Sequence, residues 1–315
     1  MIKWRKKRAG ANMKNGIIIL HKGEGLTSQS AVNRVKRLLG AAKAGHTGTL
    51  DPLATGVLPI LVGNAVKAGE YMLSSDKHYI ATLRLGLTSD TEDITGKIEK
   101  TDSGIPSEAE VLRVISGFVG EIMQVPPMVS ALKVGGKKLC DLARQGIVIE
   151  REARPITIFR LDAKKIAEDA YSLDVICSKG TYIRTLCADI GKALGCGGVM
   201  ETLCRAEASG FTLAEAHTLE ELEAMSEAER EAAVLPVETV FMKHEAVVLP
   251  PFFARLAKNG LPIYQKKIGK SFAEGTYLRM CDADGFFALG RVLPREEGMA
   301  IVPQKQFPRL GISSD

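Results

Sequence analysis

The run GIIILHK, Gly16–Lys22, is the segment that most limits the fold. Its apolar residues are consecutive and lack a helical period, which predicts a buried strand. A buried strand needs other elements packed on it, and the chain supplies them. Residues 27–39 predict a helix capped by Thr27 or Ser28, with Val32, Val35, Leu38 and Leu39 on one face and Arg34, Lys36 and Arg37 turned away from the core. HYIATLRLG (78–86) alternates as a strand. SEAEVLRVISGF (107–118) carries a capping box, Ser107 with Glu110, ahead of a helical stripe, and YSLDVICSKGTYIRTLCADIG (171–191) reads as strand, turn, helix. Strands and helices are therefore mixed through the first two thirds of the chain.

With 315 residues the chain exceeds one typical domain and can bury a sizeable core. At 45% hydrophobic and 25% charged residues it has the composition of a globular protein. The net charge of +5 is modest, but six of the first fourteen residues are Lys or Arg, so residues 1–12 are expected to form a basic, disordered tail. No signal-peptide pattern follows those charges and no apolar run reaches the length of a membrane span, which points to a cytoplasmic location. The six cysteines include no CxxC pair, and Cys177 and Cys187 fall in apolar surroundings suited to buried free thiols. His244-Glu245 lacks the second histidine of HExxH, DADG at 282–285 is an incomplete calcium loop, and no GK[ST] follows a glycine loop. The expectation is chemistry without metal or cofactor.

Residues 124–155 are long, basic and punctuated by Pro126, Pro127, Gly135 and Gly136, as a projecting functional insertion would be. Capping boxes at Thr218/Glu221 and Ser226/Glu229 predict two short solvated helices that close the first domain. After His244 come short alternating segments separated by turn signals, so the expected division is 13–243 and a small β-rich module over 244–315.

One loop stands apart. GHTGTLDPLATGVLPILVG, 45–63, contains Gly45, Gly48 and Gly56, threonines at 47, 49 and 55, and a single carboxylate, Asp51, held in an extended or turn geometry by Pro52. Backbone of this kind can approach a ligand closely. Taken alone, Asp51-Pro52 is a turn in which the aspartate bonds its own backbone.

It does not stand alone. AGHTGTLDPLATGVLPILVGNAVK, DKHYIATLRLGLTSDTEDITG, VPPMVSALKVGGKKL, ARQG, REARPI and CSKGTYIRTL together resemble, in order, the bacterial TruB family of tRNA pseudouridine-55 synthases. IVPQKQF (301–307) resembles the closing strand of that family's PUA domain. The resemblance implies an α+β pseudouridine synthase fold: a central mixed, largely antiparallel sheet with flanking helices, followed by a C-terminal PUA-like module. It also implies a reaction in which the bond from ribose to N1 of uracil is broken, the base turns, and ribose is joined to C5, with the detached base held throughout.

The same resemblance makes Asp51 the catalytic carboxylate, a nucleophile able to attack and later leave. Attack on the sugar, attack on the base, and elimination toward a glycal all remain open for it. Arg184 is the cation set against that carboxylate. Tyr79 stacks on the target base and moves a proton. Tyr182 and Leu203 line the nucleotide pocket, and His46 inserts into the T loop to replace the stack of an extruded uridine. Lys133, Lys137, Lys138 and Arg144, with the helix face near Arg34, would track the phosphates of a folded arm. Aromatic residues are only 5% of the chain, which disfavours a single-strand stacking platform. The implied partner is the T stem-loop of tRNA, met by a monomer without guide RNA or an obligate protein partner. Two other readings stay open: the catalytic subunit of a guide-RNA-dependent pseudouridylation complex, and a non-catalytic protein that binds and folds tRNA. The chain departs from the family pattern at Gly23, where proline is usual and whose absence loosens the turn, and at Cys140 and Cys204.

Overall fold

A computed structural model of the chain describes residues 15–130 and 132–308, apart from the side chains at 133, 137, 138 and 140. The tail expected over 1–12 lies outside the described residues. Gly16–Lys22 is a strand, almost wholly buried, that pairs antiparallel with Thr55–Val62. From that pair the sheet continues through Gly198–Ala208, Lys77–Leu85, Ala170–Cys177, Arg154–Ala167 and Gly120–Gln124, and two short strands bring it to nine. Gly16–Lys22 is buried although it ends this path, because the backbone at His217 and Leu235 bonds its outer edge. The strand contacts along the path are antiparallel except one, where Cys204 and Arg205 lie parallel to Thr55 and Gly56. The sheet is thus mixed and largely antiparallel, and its single parallel contact falls beside the loop that holds Asp51.

The period-two pattern of Lys77–Leu85 puts Tyr79, Ala81, Leu83 and Leu85 on the buried face. Val32 and Val35 of the Ser28–Leu38 helix and Leu186 and Ile190 of the Ile183–Ala193 helix share that core. Thr27 caps the first of these helices, its side chain accepting from the Ser30 amide. Only half of the box expected at Ser107 forms. The serine accepts from the Glu110 amide, while the Glu110 carboxylate turns to Arg113 one helical turn on. Both later boxes are complete, on the helices Leu219–Ala224 and Glu227–Ala232. Within the insertion, the strands Lys133–Val134 and Lys137–Lys138 form a hairpin that leads into the helix Leu139–Ala143.

A second, five-stranded sheet occupies residues 245–306 and packs on the helix Pro251–Lys258. It is not a loose appendage. Phe241 is buried against Phe286 and Phe307 of the second sheet's segment and against Tyr71 of the first, with ring centroids 5.4–5.7 Å apart. Lys305 also pairs with Glu70 at 2.6 Å.

Truncation of a buried phenylalanine to alanine costs about 3–5 kcal/mol, and here the lost contacts join two cores. Phe241→Ala is expected to lower the melting temperature and to split one calorimetric transition into two. A single transition at the unchanged temperature would show that this cluster does not couple the sheets.

Candidate active site

Asp51 lies between the strands Ala44–His46 and Thr55–Val62, in a loop held by side chains on both sides of it. Ser28, at the start of the first helix, clamps the preceding residue: its hydroxyl donates to the Leu50 carbonyl (2.9 Å) and accepts from the Leu50 amide (2.8 Å). The following residue is clamped as well, because the Pro52 carbonyl accepts from the Gly25 amide at 2.8 Å and from Lys22 Nζ at 3.2 Å. Lys22 Nζ donates further to the carbonyls of Gly23 and Leu26, each at 2.8 Å. The turn that Gly23 was expected to loosen is therefore pinned by the lysine before it. Burial pushes the Lys22 amine down to about 8, with the attraction of Asp51 opposing the shift.

Arg184, in the first turn of the Ile183–Ala193 helix, is buried, and its Nε lies 2.9 Å from Asp51 Oδ2. The other guanidinium nitrogens are committed, one to the Thr91 carbonyl at 3.0 Å and one to the Val129 carbonyl at 2.8 Å. A second carboxylate, Asp93, stands 3.8 Å from the same Nε. It is itself fixed by the Thr91 and Thr95 hydroxyls and the Thr95 amide at 2.6–2.9 Å. The two acids differ in access: the side chain of Asp51 is 36% exposed, that of Asp93 7%. Asp93 thus serves the scaffold around the arginine, and Asp51 is the carboxylate an incoming molecule can meet.

The other residues expected in the site gather around this pair. Tyr79 is buried on the Lys77–Leu85 strand, directly across from Arg205 in the register. Burial raises its phenol above the usual range, and the charge of the Arg205 guanidinium acts in the opposite direction. Leu203 lies two residues before Arg205 on the same face of its strand and is buried opposite Ala81. Tyr182 precedes the Arg184 helix, where its backbone amide and carbonyl are bonded at 2.8 and 3.1 Å by the side chain of buried Gln124. Burial raises its phenol also. His46 begins the loop, half-buried, with Nδ1 accepting from the Gly48 amide at 3.3 Å.

Asp51, Tyr79, Arg184, His46, Tyr182 and Leu203 thus come from four separate stretches of sequence to one place. Lys22, Ser28, Asp93, Gln124 and Arg205 were not singled out in the sequence. A lysine or arginine donating to carbonyls leaves no local pattern, since its partners are backbone. Gly56 has a reason of a different kind from close approach to a ligand. Its φ is +106°, and a Cβ there would come within 2.3 Å of the Arg205 carbonyl oxygen, so glycine is what lets the loop enter the sheet. Of the cations expected to track phosphates, the side chains of Lys133, Lys137 and Lys138 lie outside the described residues. Arg144 is exposed beside Asp141, and Arg34 is paired with Glu223 across two helices, so its charge is in part already matched.

The fold places the chain with those of solved Cbf5 complexes. The chain superposes on one in the crystal structure of a Cbf5-Nop10-Gar1 complex with a TM-score of 0.68 at 26% identity, over 93% of this chain and 85% of the other. A chain from an H/ACA RNP bound to a substrate RNA containing 2'-deoxyuridine shares the fold at the same TM-score, 0.68, with 23% identity over 94% and 86%. In sequence, residues 36–183 match the TruB family pseudouridylate synthase N-terminal domain, and residues 184–242 the tRNA pseudouridylate synthase B C-terminal domain. The tRNA pseudouridine synthase B of Alkaliphilus oremlandii is 42% identical over 85% of this chain and 89% of its own length. That of Neisseria meningitidis serogroup B is 46% identical over 78% and 80%. The chain belongs to the TruB family of pseudouridylate synthases.

The Gly48 contact requires an unprotonated Nδ1 on His46, and burial, helped by nearby Arg205, lowers this imidazole from its ordinary 6.5. Between the lowered folded value and 6.5 the unfolded chain binds more protons. The stability contributed by the neutral ring is therefore complete above that window and lost as pH falls through it. Nitrogen-15 spectra should give His46 a midpoint below 6.5 with the proton on Nε2. A midpoint at or above the ordinary value would contradict the bond to Gly48.

Proposed function

We propose that this protein is a tRNA pseudouridine synthase that isomerises uridine 55 in the T loop, with Asp51 as the group that meets the reacting nucleotide. The observation that carries the reading is the Asp51–Arg184 pair: a partly exposed carboxylate 2.9 Å from a buried guanidinium whose remaining nitrogens are occupied. The tRNA substrate agrees with the names of relatives at 42% and 46% identity.

The geometry suits the chemistry. Breaking the glycosidic bond and rejoining ribose at C5 is an intramolecular transfer, in which the protein must keep the detached base from leaving and turn it until C5 faces the ribose. Asp51 can stabilise the sugar or the base while the bond is open, and Arg184 supplies fixed positive charge without moving. Tyr79 and Leu203, on adjacent strands of the same face, support the flat base, and Tyr182 closes the pocket from the helix start. Extruding a stacked uridine costs a few kcal/mol, which His46, as a neutral ring at the mouth of the loop, offsets by stacking with the bases left behind. The basic insertion and residues 244–315, read as an RNA-binding module, would grip a folded arm by shape and phosphate contacts.

Guide-dependent action is the second reading, favoured by the shared fold with the Cbf5-Nop10-Gar1 chain. Identity weighs against it, at 26% for that chain and above 40% for the tRNA enzymes. We infer a monomer acting in the cytoplasm without guide RNA. Among the described residues no helix is long and apolar enough to cross a membrane.

Purified protein incubated with an unmodified T-arm RNA, without guide RNA or added metal, is expected to convert the T-loop uridine alone. RNA binding with no pseudouridine formed would favour one of the two other readings. Asp51→Asn keeps the shape and removes the charge, so single-turnover rates should fall by about a thousandfold or more with RNA affinity nearly intact. Appreciable turnover by that variant would remove Asp51 from the role given to it.

His46 and Arg184 should separate on a structured and a weakened RNA. His46→Ala should lose about 10–100-fold on an intact T loop, matching an extrusion cost of a few kcal/mol, and much less when the loop's tertiary pairing has been weakened. Arg184→Ala should be crippled on both, because its charge is needed whatever the state of the RNA. Equal losses for His46→Ala on the two RNAs would place this histidine's work elsewhere.

A further inference from the structure

Among the described residues Arg205 is the largest side chain that is fully buried. A guanidinium out of water is costly unless its N–H groups are matched and its charge is used. The first condition is met by backbone: Nε donates to the Val57 carbonyl at 2.8 Å, and the terminal nitrogens donate to the carbonyls of Gly48 at 3.1 Å and Thr49 at 3.5 Å. All three carbonyls belong to the loop and strand on either side of Asp51. These bonds pull residues 48–57 against the Gly198–Ala208 strand at the sheet's parallel contact, and the positive φ of Gly48 and Gly56 permits that approach. Among the described residues the guanidinium forms no ion pair, so its charge stays unneutralised inside the core.

A neutral amide could have tied such carbonyls, so the retained charge points to a further partner. The register supplies one: Arg205 is the cross-strand neighbour of Tyr79, both side chains are buried, and the guanidinium's charge favours the ionised phenol. Negative charge developing on the phenol oxygen is met by a cation already in place, at no reorganisation cost. We propose that Arg205 is a positioning residue of the reaction, which fixes the Asp51 loop to the sheet and supplies the positive charge against which the Tyr79 hydroxyl acts. The proposal rests on the pseudouridine synthase reading above for its link to turnover, and on the geometry alone for its link to Tyr79.

The groups that bear on this pair are few. Asp51 and the Cys177 thiol face Tyr79 and favour its protonated form, opposing Arg205. Lys22, His46 and Lys77 all feel the arginine's charge, which favours their unprotonated forms.

The test uses the full chain with 3-fluorotyrosine in place of Tyr79, so that the phenol titrates in an accessible range and reports by fluorine NMR in the free protein. Arg205→Gln keeps donors for the carbonyls but removes the charge. It should raise the fluorotyrosine midpoint by about one pH unit or more, as loss of an adjacent cation does. With unlabelled protein it should slow single-turnover pseudouridine formation by about a hundredfold while RNA affinity stays within about threefold. Arg205→Lys, which keeps the charge and loses the planar fork, should hold the midpoint near that of the parent and recover part of the rate. The parent on T-arm RNA is the control for the function itself: no product there defeats the synthase reading, whereas the fluorine midpoints still judge the Arg205–Tyr79 link. A midpoint unchanged in Arg205→Gln, or no titration with or without the guanidinium up to the limit of folding, overturns the proposal. Failure of Arg205→Gln to fold leaves Arg205→Lys to decide, and a midpoint raised in that variant overturns it too.

Discussion

The site depends on how a loop without regular structure keeps one geometry inside the protein. Residues 47–54 carry several backbone carbonyls away from any sheet ladder, and a buried carbonyl without a donor costs about 1–3 kcal/mol. Side chains from three sequence-distant points supply the donors: Lys22 to Pro52, Ser28 to Leu50, and Arg205 to Gly48 and Thr49, and to Val57 in the strand that follows. Two of the three are cations, so much of the loop is held by charge-assisted bonds, which are stronger than neutral ones. Asp51 inherits its position from these contacts on its neighbours, and its carboxylate is left to face outward.

The second constraint is electrostatic. Arg184 is buried with all of its nitrogens engaged, and two carboxylates of unequal exposure lie on its Nε side. Breaking a buried pair by removing one partner is far more costly than the net worth of the pair. With Asp93 locked by threonines and the Thr95 amide, the arginine cannot swing away when Asp51 engages another group. Charge placed in advance in this way is what a reaction with a transiently detached base requires.

The two sheets meet through an aromatic cluster and the Glu70–Lys305 pair, not through a bare linker. The segment 63–72, directly after the strand that leaves the Asp51 loop, supplies Ala68, Glu70 and Tyr71 to that contact. Whatever grips the C-terminal module is therefore tied, through one short continuous stretch, to the strand that emerges from the loop.

The sequence by itself determined the alternating strands and the capped helices, because each leaves a local trace, while the six residues singled out for the site came from contiguous motifs that resemble a family. Lys77–Leu85 shows its two faces in a strict period, Thr218 and Ser226 announce their helices by the glutamate three residues on, and GHTGTLDP is contiguous. Even locally the trace can mislead: Glu110 stood in the right place for a box at Ser107 and was taken by Arg113 instead. Only the tertiary structure decided that Arg205 is the buried partner of the loop and of Tyr79, that Asp93 shares Arg184, and that Gln124 holds the Tyr182 backbone. The reason is physical. These side chains act on backbone groups and on charges 58 to 157 residues away, and a carbonyl oxygen is the same in every residue. A donor's partner can be read from sequence when it lies within a helical turn, and only from the folded chain when it does not.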